Sequence, residues 1–245
     1  MKRTRSQAEI DYRRSLARKR LAKRRAMGLT RTYAPSRVPL ATRGYRPNVH
    51  ERKVIDLPST LATINTTGGV IPINLVAAGA DMNQRIGRKI LMKSVQIRAQ
   101  FDVERTNVTP FVAGSSPNQT ARMILLYDCQ PNGAVPNPLD ILTNNDATAM
   151  LNLDYRDRFK VLLDKHFVFD ACILSITDNY AAWGRTTHYF KKYKKLNLET
   201  IYNSTLGTAA AVTSGTLLLF FIGTTPSGTA DLNVRFQTRV RFLDQ

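Results

Sequence analysis

Cysteine is nearly absent: Cys129 and Cys172 are the only two in 245 residues, and neither belongs to a C-x-x-C pair. That excludes a disulfide framework and a Cys-based zinc site, and both thiols read as small buried hydrophobes in a reducing compartment. Histidine is as sparse, with His50, His166 and His188 scattered along the chain and no H-E-x-x-H or G-x-S-x-G. The glycines of "GADMNQRIGRK", at 79 and 87, stand too far apart for a phosphate loop and lack its Gly-Lys-Ser/Thr ending. With no clustered catalytic set, neither an enzyme nor a bound metal or cofactor is expected. No run of 18 apolar residues exists, so no membrane partner is expected either. Asn-x-Thr triplets at Asn65, Asn107, Asn118 and Asn203 read as chance matches, since no apolar secretory core follows the N-terminal charges.

Acidic residues are the next shortage, 18 against 36 Lys and Arg. The imbalance is local. Residues 1–53 hold 17 of the basic residues and 3 of the acidic ones, a net of +14, which leaves 19 against 15 over the other 192 residues. In "YRRSLARKRLAKRR", residues 12–25, eight of fourteen positions are Lys or Arg. Ile10, Leu16, Leu21 and Met27 recur every five or six positions, with Leu29 just beyond, a spacing that makes no continuous helical stripe. With little apolar area to bury and like charges crowded together, residues 1–53 are expected to be a disordered arm that orders on an anionic partner. Glu9 and Asp11 argue against a mitochondrial presequence.

Cations that neutralise phosphates release condensed counterions whatever the base sequence, so the arm is read as nucleic-acid-binding through Arg13, Arg14, Arg18, Lys19, Arg20, Lys23, Arg24 and Arg25. The cluster Arg18, Lys19, Arg20, Lys23, Arg24, Arg25 also fits a nuclear-import signal. The three prolines of "YAPSRVPLATRGYRP", residues 33–47, read as an extended linker.

From residue 54 onward the apolar period becomes two. "KSVQIRAQFDVE" (93–104) sets Val95, Ile97, Ala99, Phe101 and Val103 against Gln96, Arg98, Gln100, Asp102 and Glu104. "DLNVRFQTRVRF" (231–242) repeats the arrangement, with Arg235, Arg239 and Arg241 on its wet side. "ARMILLYDC" (121–129) and "GTLLLFFIGT" (215–224) are almost continuously apolar, as expected of strands buried on both faces. With 53–65, 157–170 and 187–203, the last split by a break near Leu198, the strands number about eight. One short helix is predicted in "NPLDILTNND", with Asn137 as N-cap, Pro138 at the first helical position and Asp140 in the first turn. Strands with long variable links and hardly any helix predict an all-β sandwich, of which the eight-stranded jelly roll is one solution.

Two clusters in the body carry chemical interest. Asp154, Asp157 and Asp164 interleave with Arg156, Arg158 and Lys160, and read as salt pairs and loop caps rather than metal ligands. In "HYFKKYKKL" (188–196), Lys191, Lys192, Lys194 and Lys195 interleave with Tyr189, Phe190 and Tyr193. Lysines bind phosphates and sheet aromatics stack on unpaired bases, so these lysines and Tyr193 are candidate nucleic-acid contacts. The plainer alternative is core aromatics on a strand whose lysines protect a sheet edge.

At "QRIGRKILMKSVQIR" (84–98), "LLYDCQPNGAVPNPLDIL" (125–142), "NLDYRDRFKVLLDK" (152–165), "YKKLNLETIYN" (193–203) and "VRFQTRVRF" (234–242), the sequence resembles coat proteins of small circular, Rep-encoding single-stranded DNA viruses. It is close to environmental members and more distantly similar to geminivirus coat proteins. The resemblance covers most of 54–245, and the arm matches in composition only. It implies a jelly-roll capsid domain over 54–245 that self-assembles with identical subunits into an icosahedral shell around a circular single-stranded DNA genome. The basic arm would lie inside and engage a host nuclear-import receptor, placing the protein in the virion and, during assembly, in the host nucleus. About 60 copies would bring roughly 840 arm charges to the genome's phosphates. One departure is that geminivirus coat proteins usually carry a Cys/His cluster after the arm, whereas residues 40–85 hold His50 and no cysteine. The competing reading is a cellular RNA-binding protein of ribosomal type with a basic tail.

Overall fold

The computed structural model describes residues 7–26, 52–103, 119–169, 172–176, 179–183, 187–224 and 232–245. The linker at 33–47 and His50 lie outside the described residues. The chain divides into two units, Met1–Val49 and His50–Gln245.

In the first unit, α1 (Gln7–Ala26) is a helix of 20 residues. Part of the arm thus has regular structure, although no apolar stripe predicts it. Ala, Leu, Arg, Lys, Gln and Glu, which fill most of the segment, are the strongest helix formers, and neither Gly nor Pro occurs before Gly28. Intrinsic propensity outweighs the repulsion, with help from Glu9–Arg13 (3.6 Å) and Asp11–Arg14 (4.0 Å) pairs one turn apart. The helix has no apolar stripe, as its spacing predicts, and its described side chains, from Asp11 to Lys23, are exposed.

The second unit is a sandwich whose described residues form eleven strands. These are β1 (Arg52–Thr63), β2 (Gly69–Pro72), β3 (Lys89–Val103), β4 (Gln119–Asp128), β5 (Phe159–Phe169), β6 (Cys172–Ile176), β7 (Asn179–Trp183), β8 (Thr187–Tyr202), β9 (Val212–Ser214), β10 (Thr216–Gly223) and β11 (Leu232–Asp244). One sheet runs β1-β11-β3-β8-β9 and the other β2-β10-β4-β5, while β6 and β7 form a separate hairpin. Setting aside β9 and that hairpin leaves eight strands in antiparallel pairs: β1 with β11, β2 with β10, β3 with β8, and β4 with β5. This is one long double-stranded ribbon, rolled so that successive pairs fall alternately into the two sheets and are joined by β11–β3 and β10–β4. That connectivity is a jelly roll.

Aromatics stitch the two sheets together through the core. Phe101 stacks on Phe167 with centroids 4.2 Å apart and meets Phe221 edge-on at 6.1 Å, and Phe221 packs on Phe236 at 5.2 Å. The expected break near Leu198 is instead a register shift. Met92 pairs with Leu198 and Ser94 with Lys195, so β8 absorbs an extra residue and continues as one strand.

The other face of the four-stranded sheet is apolar too. Ile124 and Leu126 of β4 and Leu218, Phe220 and Ile222 of β10 form a second cluster with Ile141, Leu142, Ala149 and Phe159. These last residues belong to the β4–β5 connection and its landing point, which explains why both sequence runs lack alternation. The predicted short helix is here, α2 (Pro138–Ile141), with a capping box between Asn137 and Asp140. Arg122 clamps the connection down: its guanidinium donates to the Ala147 and Ala149 carbonyls and pairs with Asp164 at 2.6 Å.

Candidate nucleic-acid interface

No covering layer is seen on the outer face of the five-stranded sheet among the described residues, and the strand alternation decides what stands on it. On β11, Val234, Phe236 and Val240 are buried while Arg235, Gln237 and Arg239 point away from the core. On β3, Gln96, Arg98 and Gln100 take that side, and on β8 Tyr189, Lys191, Tyr193 and Lys195 do. Antiparallel register aligns them in rows. Arg235, Gln100 and Tyr189 form one, Gln237, Arg98 and Lys191 the next, and Arg239, Gln96 and Tyr193 a third. Tyr189 is 79% exposed and Tyr193 53%. A shallow groove of about 550 Å³ follows the first two rows, lined by Arg98, Gln100, Tyr189, Lys191, Arg235 and Gln237.

The acids on this face are engaged. Asp56 of β1 accepts two hydrogen bonds from Arg239, at 2.7 and 2.6 Å, and Asp102 accepts from the Gln100 amide at 3.0 and 2.9 Å. The hydrogen bond from Arg239 holds the Asp56 carboxyl below its ordinary range, against a smaller opposing effect of burial, and the same bond raises the Arg239 guanidinium. Arg98, Lys191 and Arg235 form no ion pair among the described residues.

The structure thus divides the sequence-predicted strand residues. Lys191, Tyr193 and Lys195 share the basic face. Lys192 and Lys194 pair in register with Ile97 and Val95 and stand on the opposite side of β8. Phe190 packs against the core. The arm residues Arg13, Arg14, Arg18, Lys19, Arg20 and Lys23 are exposed on α1, and the side chains of Arg24 and Arg25 lie outside the described residues. Arg98 and Arg235 were legible as wet-side residues of their strands, but nothing local in the sequence signalled that they meet Tyr189 and Lys191.

The remaining candidates are structural. Arg85, from the glycine-flanked loop, is buried and donates to the carbonyls of Val76 (3.1 Å), Gly87 (2.7 Å) and Ser204, with its guanidinium over the Tyr202 ring. Asp164 pairs with Arg122, Asp157 lies 3.6 Å from Arg156, and Arg158 pairs with buried Asp128 at 2.9 Å. His166 and His188 each place Nε2 beside a backbone carbonyl, of Ala147 (3.2 Å) and Val168 (2.8 Å). Among the described residues no group of His, Cys, Asp or Glu is arranged to hold a metal ion.

All 245 residues match the geminivirus coat protein/nuclear export factor BR1 family. The chain belongs to that family. The match extends through the basic arm, beyond the body segments that carry the sequence resemblance. Membership makes this a virus coat protein, structural rather than catalytic. No curated protein sequence matches it. Among solved structures it is similar to Desmodium yellow mottle tymovirus, at 12% identity over 80% of this chain and 91% of that one with a TM-score of 0.30. It is also similar to infectious bursal disease virus Gx strain, at 9% identity over 79% of this chain and 38% of that one with a TM-score of 0.19. Both scores are too low to carry an argument, and the fold assignment rests on the strand order.

Proposed function

We propose that this coat protein closes with identical subunits into an icosahedral shell of about 60 copies and packages a circular single-stranded DNA genome by charge neutralisation. The observation that carries the reading is the partition of charge: net +14 over residues 1–53 and nearly balanced charge over a jelly-roll body. The body supplies the wall, and Arg13, Arg14, Arg18, Lys19, Arg20, Lys23, Arg24 and Arg25 supply the phosphate contacts. Lys191, Tyr193 and Lys195 add contacts from the wall. The cluster Arg18 to Arg25 serves as the nuclear-import signal, read by a host import receptor before assembly in the nucleus.

A helical arm changes the reach of this device. Twenty residues in α1 span about 30 Å, whereas the same residues extended would reach about 70 Å. The helix therefore concentrates its cations instead of spreading them.

Electron microscopy of purified, nuclease-treated protein at moderate salt tests the reading. Uniform closed shells containing protected single-stranded DNA are expected. Small soluble complexes only, across salt and added single-stranded DNA, would overturn it.

A further inference from the structure

The connection that caps the four-stranded sheet has an outer surface that is both acidic and apolar. From 123 to 155 the chain has no Lys or Arg but holds Asp128, Asp140, Asp146 and Asp154. Ile141, Leu142 and Ala149 of this connection are buried, whereas Leu139, Met150 and Leu153 leave 46%, 78% and 74% of their surface open. These three lie close together. Asn152 donates its backbone N–H to the Ile141 carbonyl (2.9 Å) and its side-chain amide to the Leu139 carbonyl (3.1 Å), and the Thr143 N–H reaches the Met150 carbonyl at 3.0 Å. Asp146 and Asp154 are exposed beside them and make no ion pair among the described residues, and Asp157, three residues on, is almost wholly open. An exposed apolar patch with a charged rim has the anatomy of a protein interface.

The opposite charge stands on one flank of the sandwich. β5 ends the four-stranded sheet, and β9 pairs with β8 only at Ile201 and Tyr202, so the rest of β8 is an open edge among the described residues. Phe169 meets His188 with centroids 4.9 Å apart and Phe167 meets Phe190 at 5.7 Å, so the two edges pass each other in antiparallel steps. The next step sets Lys165 opposite Lys192, and Lys194 follows. Lys165 pairs in register with Met123, Lys192 with Ile97 and Lys194 with Val95, all core residues, so the three lysines stand on the core-facing side of their strands at the mouth of the sandwich. Lysines turned this way keep an edge from adding another strand. Among the described residues none of the three has an ion pair.

We infer that the two surfaces are halves of one heterologous contact, in which the acidic, apolar cap of one subunit seats on the lysine-lined flank of β5 and β8 in the next. The inference rests on the coat-protein reading and deepens it by assigning the surfaces through which copies meet. Charge selects the occupant. Cap against cap would bring Asp146 and Asp154 to their own copies, and flank against flank would oppose lysines, so both two-fold pairings are repelled. Cap against flank sets opposite signs together and lays Leu139, Met150 and Leu153 along the apolar stems of the lysines. A contact between unlike surfaces propagates in one direction and closes into a ring where its rotation allows.

Variants of the full chain test the contact by sedimentation and electron microscopy after nuclease treatment, at moderate salt. Lys192→Glu with Lys194→Glu reverses the flank, and Asp154→Lys with Asp157→Lys reverses the cap. Each pair should raise the concentration needed for assembly about tenfold or more, because attraction at two positions becomes repulsion. Thermal melts followed by circular dichroism should stay near wild type, since none of the four side chains lies in the core. Combining all four substitutions restores opposite signs and should restore assembly. Mixing the two reversed proteins should likewise give complexes that neither forms alone. Met150→Ser should weaken assembly and leave the melt unchanged.

Undiminished assembly of both reversed proteins overturns the inference. So does a combined variant that assembles no better than either, and if its oligonucleotide affinity has fallen as well, the lysine flank belongs to the genome. If wild-type protein forms no closed shells yet the mixed pair still associates, the shell reading fails and the contact stands.

Discussion

Asn74 shows how much a single buried amide can hold. Fully buried, it donates to Thr200 Oγ1 (2.9 Å) and the Gly215 carbonyl (3.1 Å), and its side-chain oxygen accepts from Leu217 N (2.9 Å). Its own carbonyl accepts from the Tyr202 hydroxyl at 2.5 Å. One side chain therefore satisfies the backbone where β9 hands over to β10. Asn74→Ala should cost about 2–4 kcal/mol by urea denaturation, because several groups are left buried without partners. Gly215 sits beside this network with φ +80°, and a Cβ there would lie 2.0 Å from the Glu199 carbonyl. Nearby, Tyr127 donates to that same carbonyl at 2.6 Å, and burial pushes its hydroxyl up to about 12. Between the ordinary tyrosine value near 10 and about 12 the unfolded chain releases this proton and the native chain retains it. Stability therefore falls as pH rises through that window. Tyr127→Phe, less stable at neutral pH by about 1 kcal/mol, should show a shallower alkaline loss in thermal melts. None of these contacts was legible beforehand, since they join residues more than seventy positions apart or depend on backbone geometry.

At the scale of elements, the period-two strands were readable because alternation is a property of the chain itself: residues 93–103 and 232–242 fold as their patterns require. The continuous runs of β4 and β10 announced that something covers both faces, but not that the β4–β5 connection does so. The helix over Gln7–Ala26 follows intrinsic propensity, which the spacing of its apolar residues does not report. The basic groove was half visible. Tyr189 and Lys191 share a local motif, whereas Arg98 and Arg235 join them only through sheet register, which no local signal encodes. Register also explains the Asp56–Arg239 pair across β1 and β11. Asp56 has a depressed folded-state value, so its stabilising contribution is present above the unfolded aspartate range near pH 4. It is lost as pH falls through the folded value, where the unfolded chain binds the proton first. Asp56→Asn should be less stable than wild type near neutrality and flatten the acid limb, the urea midpoints of the two proteins converging at low pH.

For the whole molecule, separation of charge from fold predicts separable phenotypes. Deleting residues 1–51 removes a net of +12, stops short of β1 and leaves the core residues in place. The shortened chain should keep the sandwich's cooperative melt while nucleic-acid affinity falls steeply and loses most of its salt dependence. Circular dichroism together with a salt titration of oligonucleotide binding checks both. If unfolding and binding were lost together, the arm would be part of the fold rather than an appendage.

The cap on the four-stranded sheet gives the subunit a right way up. One broad side is sealed by its own connection and clamped by Arg122, while on the other, among the described residues, Arg98, Lys191 and Arg235 stand without an ion pair. Two copies brought together by their bare sides repel unless a polyanion lies between them, and that repulsion acts before any contact forms. The subunit is therefore a tile with a distinguishable back, and its orientation in any assembly is selected by what it cannot touch.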